Sequence, residues 1–270
     1  MVRRRRLEPF TLASAVVALV LVAFVLVPVV SMMVEAGAGF LGQALRQNDV
    51  RRSLWLTGSS ALIATGLVFL CGVPLAYLLA RRHFPGKGLV EGLIDLPIVF
   101  PHTAAGVALL TVYGRDGVLG RLLAPLGLTF TDSVAGIVVA MMFVSLPYLV
   151  DTAREAFALV DPRYEQVART LGSSPAGAFL RVSLPQAWRG VLAGALLMWG
   201  RGISEFGAVA ILAYNPKVIS VLVFERFEGF GLHSALPPAV LIVIIAFVVF
   251  VLLRAFLVPR RRGTGREDDR

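Results

Sequence analysis

Six apolar runs of membrane-crossing length divide the chain, at roughly Leu12–Val34, Leu54–Ala80, Leu89–Tyr113, Val134–Val150, Val191–Tyr214 and Leu236–Val258. A helix needs about 20 mainly apolar residues to cross the hydrocarbon of a bilayer. The runs are continuously apolar and show no alternation over ten-residue segments, so they predict helices and not barrel strands. Two runs are irregular. The third opens with Glu91 and Asp95 and carries Pro97 and Pro101, each of which removes an internal hydrogen bond and predicts a bend or break. The fourth is short and ends near Pro147. The predicted fold class is all-α, a polytopic membrane protein with six transmembrane helices. One domain covers residues 12–258, between a basic segment 1–11 and a polar tail 259–270.

Composition agrees with that pattern. The chain is 57% hydrophobic and 16% charged, against roughly 25% charged in an average soluble domain. A soluble core of this size hides one such helix, not a succession. The opening MVRRRRLEPF could begin a signal peptide, but the run behind it is too long and no small-residue cleavage site follows, so it reads as a retained first span. The formal charge of +9 sits at the ends of the runs, without a basic groove interleaved with aromatics, which argues against nucleic acid. Cys71 is the single cysteine, and His83, His102 and His233 are scattered, so no metal site is indicated. With the N-terminus inside, cytoplasmic segments hold 18 Lys and Arg and external segments seven, with Arg201 left in a span. That bias places both termini in the cytoplasm of a cell inner or plasma membrane. The basic ends Arg3–Arg6 and RRRGTGREDDR set topology, with anionic lipid contact as the alternative.

Between the fourth and fifth runs the chain is polar and charged. Asp161-Pro162 is a helix start, since Asp caps and Pro is tolerated in the first turn. Tyr164, Val167, Ala168 and Leu171 then share one helical face, with Arg163, Glu165, Gln166 and Arg169 around it. Gly172 reads as the helix end. Ser173-Ser174-Pro175 starts a second short helix through Phe179, and Leu184-Pro185 stops it before the fifth run. The predicted unit, 161–185, is a helix–Gly–helix elbow lying along the membrane. Pattern alone fits either an amphipathic hairpin resting on lipid or a dock for another protein.

The spacing closely resembles the cytoplasmic signature of permease subunits of ABC importers, E-A-A-x3-G-x9-I-x-L-P. Gly172 takes the glycine, Val182 the apolar position and Leu184-Pro185 the end. Ala168 keeps the second alanine, while Gln166 stands at the Glu, Val167 at the first Ala, and Glu165 directly before them. The resemblance implies that the elbow is a coupling helix seated in a groove of an ATP-hydrolysing subunit. GISEFGAVAILAYNP (202–216), LPIVFPHTAAGVALL (96–110) and YGRDGVLG (113–120) are similar to segments of molybdate- and tungstate-type permeases, which are related to the sulfate type. The likeness runs from about Leu54 to Arg254. It implies the type I permease fold of ABC importers, with two copies of this chain as a homodimer. It also implies two cytoplasmic ATP-binding subunits, which hold ATP and magnesium, and an extracytoplasmic substrate-binding protein. No cofactor is then expected on this chain, and its remaining partner is membrane lipid.

Arg201 and Glu205 stand four apart in the fifth run and can meet on one face. Charges in hydrocarbon are costly unless paired or facing a bundle interior or an aqueous path. The pair is either a structural lock or part of a gate, and Arg201, about two turns from the cytoplasmic end, can also snorkel. Gly200, Gly202 and Gly207 around it permit close helix packing or a hinge. With Pro97, Pro101 and His102 of the third run, Arg201, Glu205 and Gly207 are the candidates for a translocation path or gate. The last external loop, with Phe224, Glu225, Arg226, Phe227, Glu228 and Phe230, predicts an interfacial helix for anchoring or for contact with a binding protein.

No catalytic constellation is present: no phosphate loop ending in Lys-Ser/Thr, no zinc-ligand spacing and no nucleophile elbow. The chain reads as a transport subunit and not as an enzyme. The competing readings are a permease for sulfate or another anion, an ion-driven secondary transporter and a membrane enzyme. The second would want several intramembrane acidic ligands and internal repeats, and the third paired catalytic groups at one depth.

Overall fold

Long apolar runs give long helices, and the departures from that rule mark the important places. The computed structural model describes residues 9–37 and 39–257; Arg3–Arg6 and the tail from 259 lie outside them. In order the helices are α1 (Pro9–Ala36), α2 (Phe40–Arg46), α3 (Asn48–Arg81), α4 (Lys87–Val99), α5 (His102–Tyr113), α6 (Val118–Leu123), α7 (Val134–Ala158), α8 (Pro162–Thr170), α9 (Pro175–Ala178), α10 (Leu184–Ile203), α11 (Gly207–Leu212), α12 (Ile219–Phe230) and α13 (Leu232–Leu257). No strand occurs among the described residues. Four stretches are individually long and apolar enough to cross a bilayer, Ala13–Ala36, Asn48–Arg81, Val134–Ala158 and Leu232–Val251, and α4 with α5 makes a fifth if counted as one broken span. α10 has 20 residues, about 30 Å of helix, and packs along α7.

The third run is not one helix. α4 and α5 meet at a bend of 116°. Pro97 stays inside α4, and the break falls at Phe100-Pro101. Phe100 donates its N–H to Leu96 and is extended (φ −70°, ψ 128°), the conformation that a following proline imposes. The Pro101 carbonyl then accepts from Ala105 N–H at 2.9 Å and starts α5. Both halves still touch α7 or the segment just before it. Glu91 meets Arg154 at 2.7 Å, the Phe100 ring lies 6.5 Å from that of Phe143, and the Tyr113 ring lies 5.1 Å from that of Phe130. Of the two acids that open the run, Glu91 takes Arg154 and, at 3.8 Å, Lys87, while Arg154 reaches Asp151 at 3.2 Å; Asp95 has no ion pair among the described residues, and its Oδ1 is buried without a hydrogen-bond partner.

The fifth run is likewise broken, and it begins earlier than the pattern predicts. Leu184-Pro185 does not stop the chain. A π turn over Phe179–Ser183, in which Leu184 N–H bonds to Phe179 O, leads without interruption into α10. Pro185 is the second residue of α10, directly behind that π turn, and the widened turn is where a proline, which has no N–H to give, fits within a continuing helix. At the far end α10 stops at Ile203, Ser204–Phe206 are irregular, and α11 follows.

The core is built by close approach of small residues. A Cβ on Gly190 would lie 2.3 Å from Ala156 Cβ, and one on Gly194 would lie 3.0 Å from both Leu149 O and Thr152 Cβ. Two glycines four apart therefore bring the α10 backbone directly against α7. α1 is different: none of its described side chains is buried, and it touches the remainder mainly through α13.

Candidate functional site

The elbow forms as the sequence predicts, apart from its exit. Asp161 Oδ1 accepts from Arg163 N–H at 2.9 Å, capping α8. Ser173 N–H bonds to Ala168 O at 3.0 Å across Gly172, whose φ is +92°. A Cβ there would meet no heavy atom within 4 Å, so the backbone conformation and not space calls for glycine. Ser174 Oγ accepts from Gly177 N–H at 3.0 Å and opens α9.

The two sides of α8 differ sharply. Tyr164, Val167 and Leu171 point outward, with Leu171 82% exposed, and Arg163, Gln166 and Arg169 are exposed beside them. Ala168, placed by the sequence on the same face, is half-buried. Glu165 points inward. Its Oε1 accepts from Arg81 Nε at 2.7 Å and from Ser183 Oγ at 2.6 Å, and its Oε2 accepts from Tyr77 OH at 2.7 Å. Arg81 also donates to Val160 O at 2.8 Å. Burial pushes the Glu165 carboxyl upward, but the hydrogen bonds from Ser183, Tyr77 and Arg81 and the charge of Arg81 outweigh it and hold the group below its ordinary 4.5. One carboxylate thus ties α8 to the end of α3 and to the π turn leading into α10. The sequence reading missed Tyr77 and Ser183 and counted Arg81 only as a topology charge.

The second arrangement lies where the two broken runs meet. Arg201 Nη2 donates to Glu205 Oε2 at 2.9 Å and lies 3.0 Å from a His102 ring nitrogen. His102 Nδ1 is 3.6 Å from the same carboxylate oxygen. The Arg201–Glu205 pair of the sequence reading is present, but Glu205 is not on the helix of Arg201. It stands in the break, and its Oε1 accepts from Ala208 N–H at 2.9 Å, capping α11. The Glu205 carbonyl accepts from Ser220 Oγ at 2.7 Å, which fastens the break to α12. The Glu205 side chain is 1% exposed, that of Arg201 19% and that of His102 49%. Since α10 begins at Leu184, Arg201 lies about 25 Å along it, and its guanidinium turns to His102 and Glu205 instead of snorkelling. A Cβ on Gly207 would lie 2.8 Å from His102 Cβ, so α11 and α5 touch there. Gly202 is in ordinary contact with Ala61 at 3.4 Å, and Gly200 faces open space. Pro101 belongs to this junction as the residue that starts α5; Pro97 lies within α4, on the near side of the bend.

Residues 72–263 match the family described as binding-protein-dependent transport system inner membrane component. The chain is 44% identical over 214 residues, 79% of each chain, to a molybdate/tungstate transport system permease protein of Thermococcus kodakarensis. It is 41% identical to that of Pyrococcus furiosus, over 90% of this chain and 93% of the other. Its fold is similar to a chain of a bacterial alginate ABC transporter solved with a periplasmic protein bound to an alginate pentasaccharide (TM-score 0.72, 14% identity, 92% and 93% of the two chains).

Proposed function

The chain belongs to the inner membrane components of binding-protein-dependent transport systems, and on that premise we propose that it forms the translocation path of an ATP-driven importer for molybdate or tungstate. The oxyanion assignment rests on the likeness to molybdate/tungstate permeases along most of the chain. In this reading both termini are cytoplasmic, and so is the elbow, as the Lys and Arg bias favours. Two copies of the chain enclose the path, two ATP-binding subunits carry ATP and magnesium, and an extracytoplasmic protein delivers the anion. This chain holds no cofactor, and ATP hydrolysis belongs to the partner subunit.

The observation that carries the mechanism is the two-sidedness of α8. Tyr164, Val167 and Leu171 offer an apolar outer face to the ATP-binding subunit, with Arg163, Gln166 and Arg169 on its rim. On the inner side Glu165 joins that helix to α3 and to the start of α10. Movement of the ATP-binding subunits therefore enters at α8 and travels along α10. At the far end Arg201 meets His102 and Glu205, where both broken spans begin their second halves. We assign the gate to that junction, formed by Pro101, His102, Arg201, Glu205 and Gly207, with Pro97 stiffening the approach. Glu205 neutralises most of the attraction of Arg201, so the junction passes an anion without retaining it.

The test is a mild-detergent isolation of the chain from its native host, followed by uptake into proteoliposomes. Recovery with an ATP-hydrolysing subunit at about one per copy, and ATP-dependent accumulation of molybdate or tungstate, is the expected result. A chain recovered alone and active in ion-driven uptake would make it a secondary transporter and the elbow an interfacial hairpin. Accumulation of sulfate in place of either metal oxyanion would reassign the substrate and leave the coupling mechanism standing.

A further inference from the structure

A cavity of about 480 Å³ opens at the end of the fold opposite the elbow, away from both sites above. It lies between the first turns of α3, the segment 215–217 that follows α11, and α12. Three cations line it, Arg52, Lys217 and Arg226, against two carboxylates, Asp49 and Glu225. Arg226 Nη2 is 2.6 Å from Asp49 Oδ2, and Lys217 Nζ is 2.6 Å from Glu225 Oε2. Arg52 is exposed and has no ion pair or side-chain hydrogen bond among the described residues. The lining thus has one cation more than it has carboxylates, and that excess is a free guanidinium.

This chemistry discriminates among solutes. A free cation is repelled by the net charge and finds both carboxylates occupied. A small oxyanion finds the planar, multi-donor group that suits it, since a guanidinium offers paired N–H donors to two oxygens at once. Lys217 and Arg226 can turn toward the same anion, and their carboxylate partners reclaim them when it leaves. The cavity is far larger than a tetrahedral oxyanion, so water stays and binding remains loose.

We propose that this cavity is an external reception site for a tetrahedral oxyanion, with Arg52 as the unpaired donor and Lys217 and Arg226 as exchangeable ones. The inference rests on the importer reading, which places this end of the fold outside the cell. It adds a station on the permease itself, ahead of the gate, that takes the anion over from the delivery protein.

The test uses the permease with its ATP-binding subunit, without the delivery protein, and tungstate as probe in equilibrium dialysis. Arg52→Gln is expected to weaken tungstate binding about tenfold, and Arg52→Lys, which keeps the charge but not the paired donors, to restore only part of it. Glu225→Gln frees Lys217 and is expected to strengthen binding, which general damage to the fold would not do. Co-purification with the ATP-binding subunit checks assembly for each variant. Unchanged binding in Arg52→Gln, or weaker binding in Glu225→Gln, overturns the proposal. So does a wild-type complex that binds no tungstate yet imports it when the delivery protein is added. A complete wild-type transporter that imports neither molybdate nor tungstate removes the importer reading itself and this inference with it, so the two failures are read apart by the uptake assay.

Discussion

Arg81 and Glu165, 84 residues apart in sequence, are joined by a 2.7 Å hydrogen bond between guanidinium Nε and carboxylate Oε1. Tyr77 and Ser183 bond to the same carboxylate, so α3, α8 and the start of α10 share one anchor. Glu165→Ala removes all three bonds and leaves Arg81 with Val160 O alone. A hydrogen bond to a charged group is worth about 1.5–3 kcal/mol, so a clear fall in thermal stability is expected. ATP hydrolysis that runs without transport is the second expected effect, because α8 then moves without carrying α3. Thermal unfolding and the ratio of anion imported to ATP hydrolysed are the two measurements.

Acid acts on the same anchor. The Glu165 carboxyl titrates below its ordinary 4.5 in the folded chain, so the folded state binds its proton less readily than the unfolded state. The stabilisation is complete above that ordinary value and disappears as pH falls through the lowered folded value. The melting temperature of the wild type should therefore drop more steeply on acidification than that of Glu165→Gln, which has no proton to take up. Parallel curves would show that the clamp does not depend on this charge.

Gly172→Val should leave membrane insertion intact and uncouple transport. With φ at +92°, a β-branched residue is forced out of a backbone region it rarely occupies, at a cost of about 1–3 kcal/mol. Because no heavy atom lies within 4 Å of the added Cβ, Gly172→Asn should do less harm, since Asn tolerates positive φ better. Substrate-driven ATP hydrolysis by the assembled complexes separates the two. Normal stimulation in Gly172→Val would remove the turn from the mechanism.

Glu205→Ala should be more damaging than removal of Arg201 and Glu205 together. The single variant leaves a mostly buried guanidinium with only His102 and Ser204, and breaking one side of a buried pair costs about 3–5 kcal/mol. Both variants lose the cap on Ala208 N–H, so their difference isolates the stranded charge. The amount of folded complex recovered and its transport rate are the readouts; an equal or smaller defect in the single variant would count against the pair.

Gly207→Ala should loosen the junction, and Gly200→Ala should not. The first places a methyl 2.8 Å from His102 Cβ, while the second meets nothing within 4 Å. Overpacking of this kind costs about 1–3 kcal/mol. Thermal melting of the two variants side by side is the check.

The apolar runs made the helical, membrane-spanning class legible, because about 20 apolar residues in succession have few other uses. Local signals were read correctly where their cause is local: the Asp161 cap, the Gly172 turn, and a break next to Pro101. Pro97, an equal candidate by composition, left α4 whole, since the residue before it remained helical. The break at Ser204–Phe206 was invisible because no proline marks it; a side chain, Glu205, supplies the cap that makes a new helix start possible there. The π turn before Pro185 was hidden for a similar reason, as the proline looks like a stop unless the preceding turn widens. The Glu165 anchor could not be read at all. Its partners lie 18 to 88 residues away, and a one-dimensional pattern carries no information about which arginine it meets.

The contact of Gly190 with Ala156, and of Gly194 with Leu149 and Thr152, governs which movements are open to the fold. Backbones that touch have no layer of side chains between them to re-arrange, so sliding of α7 along α10 is resisted and the two are expected to move together. Compliance is left to the two places where the hydrogen-bond ladder is already interrupted, Phe100-Pro101 and Ser204–Phe206. On the proposed gate assignment, switching of access amounts to flexing two short tips on a stiff frame, a small displacement at the end of a long arm.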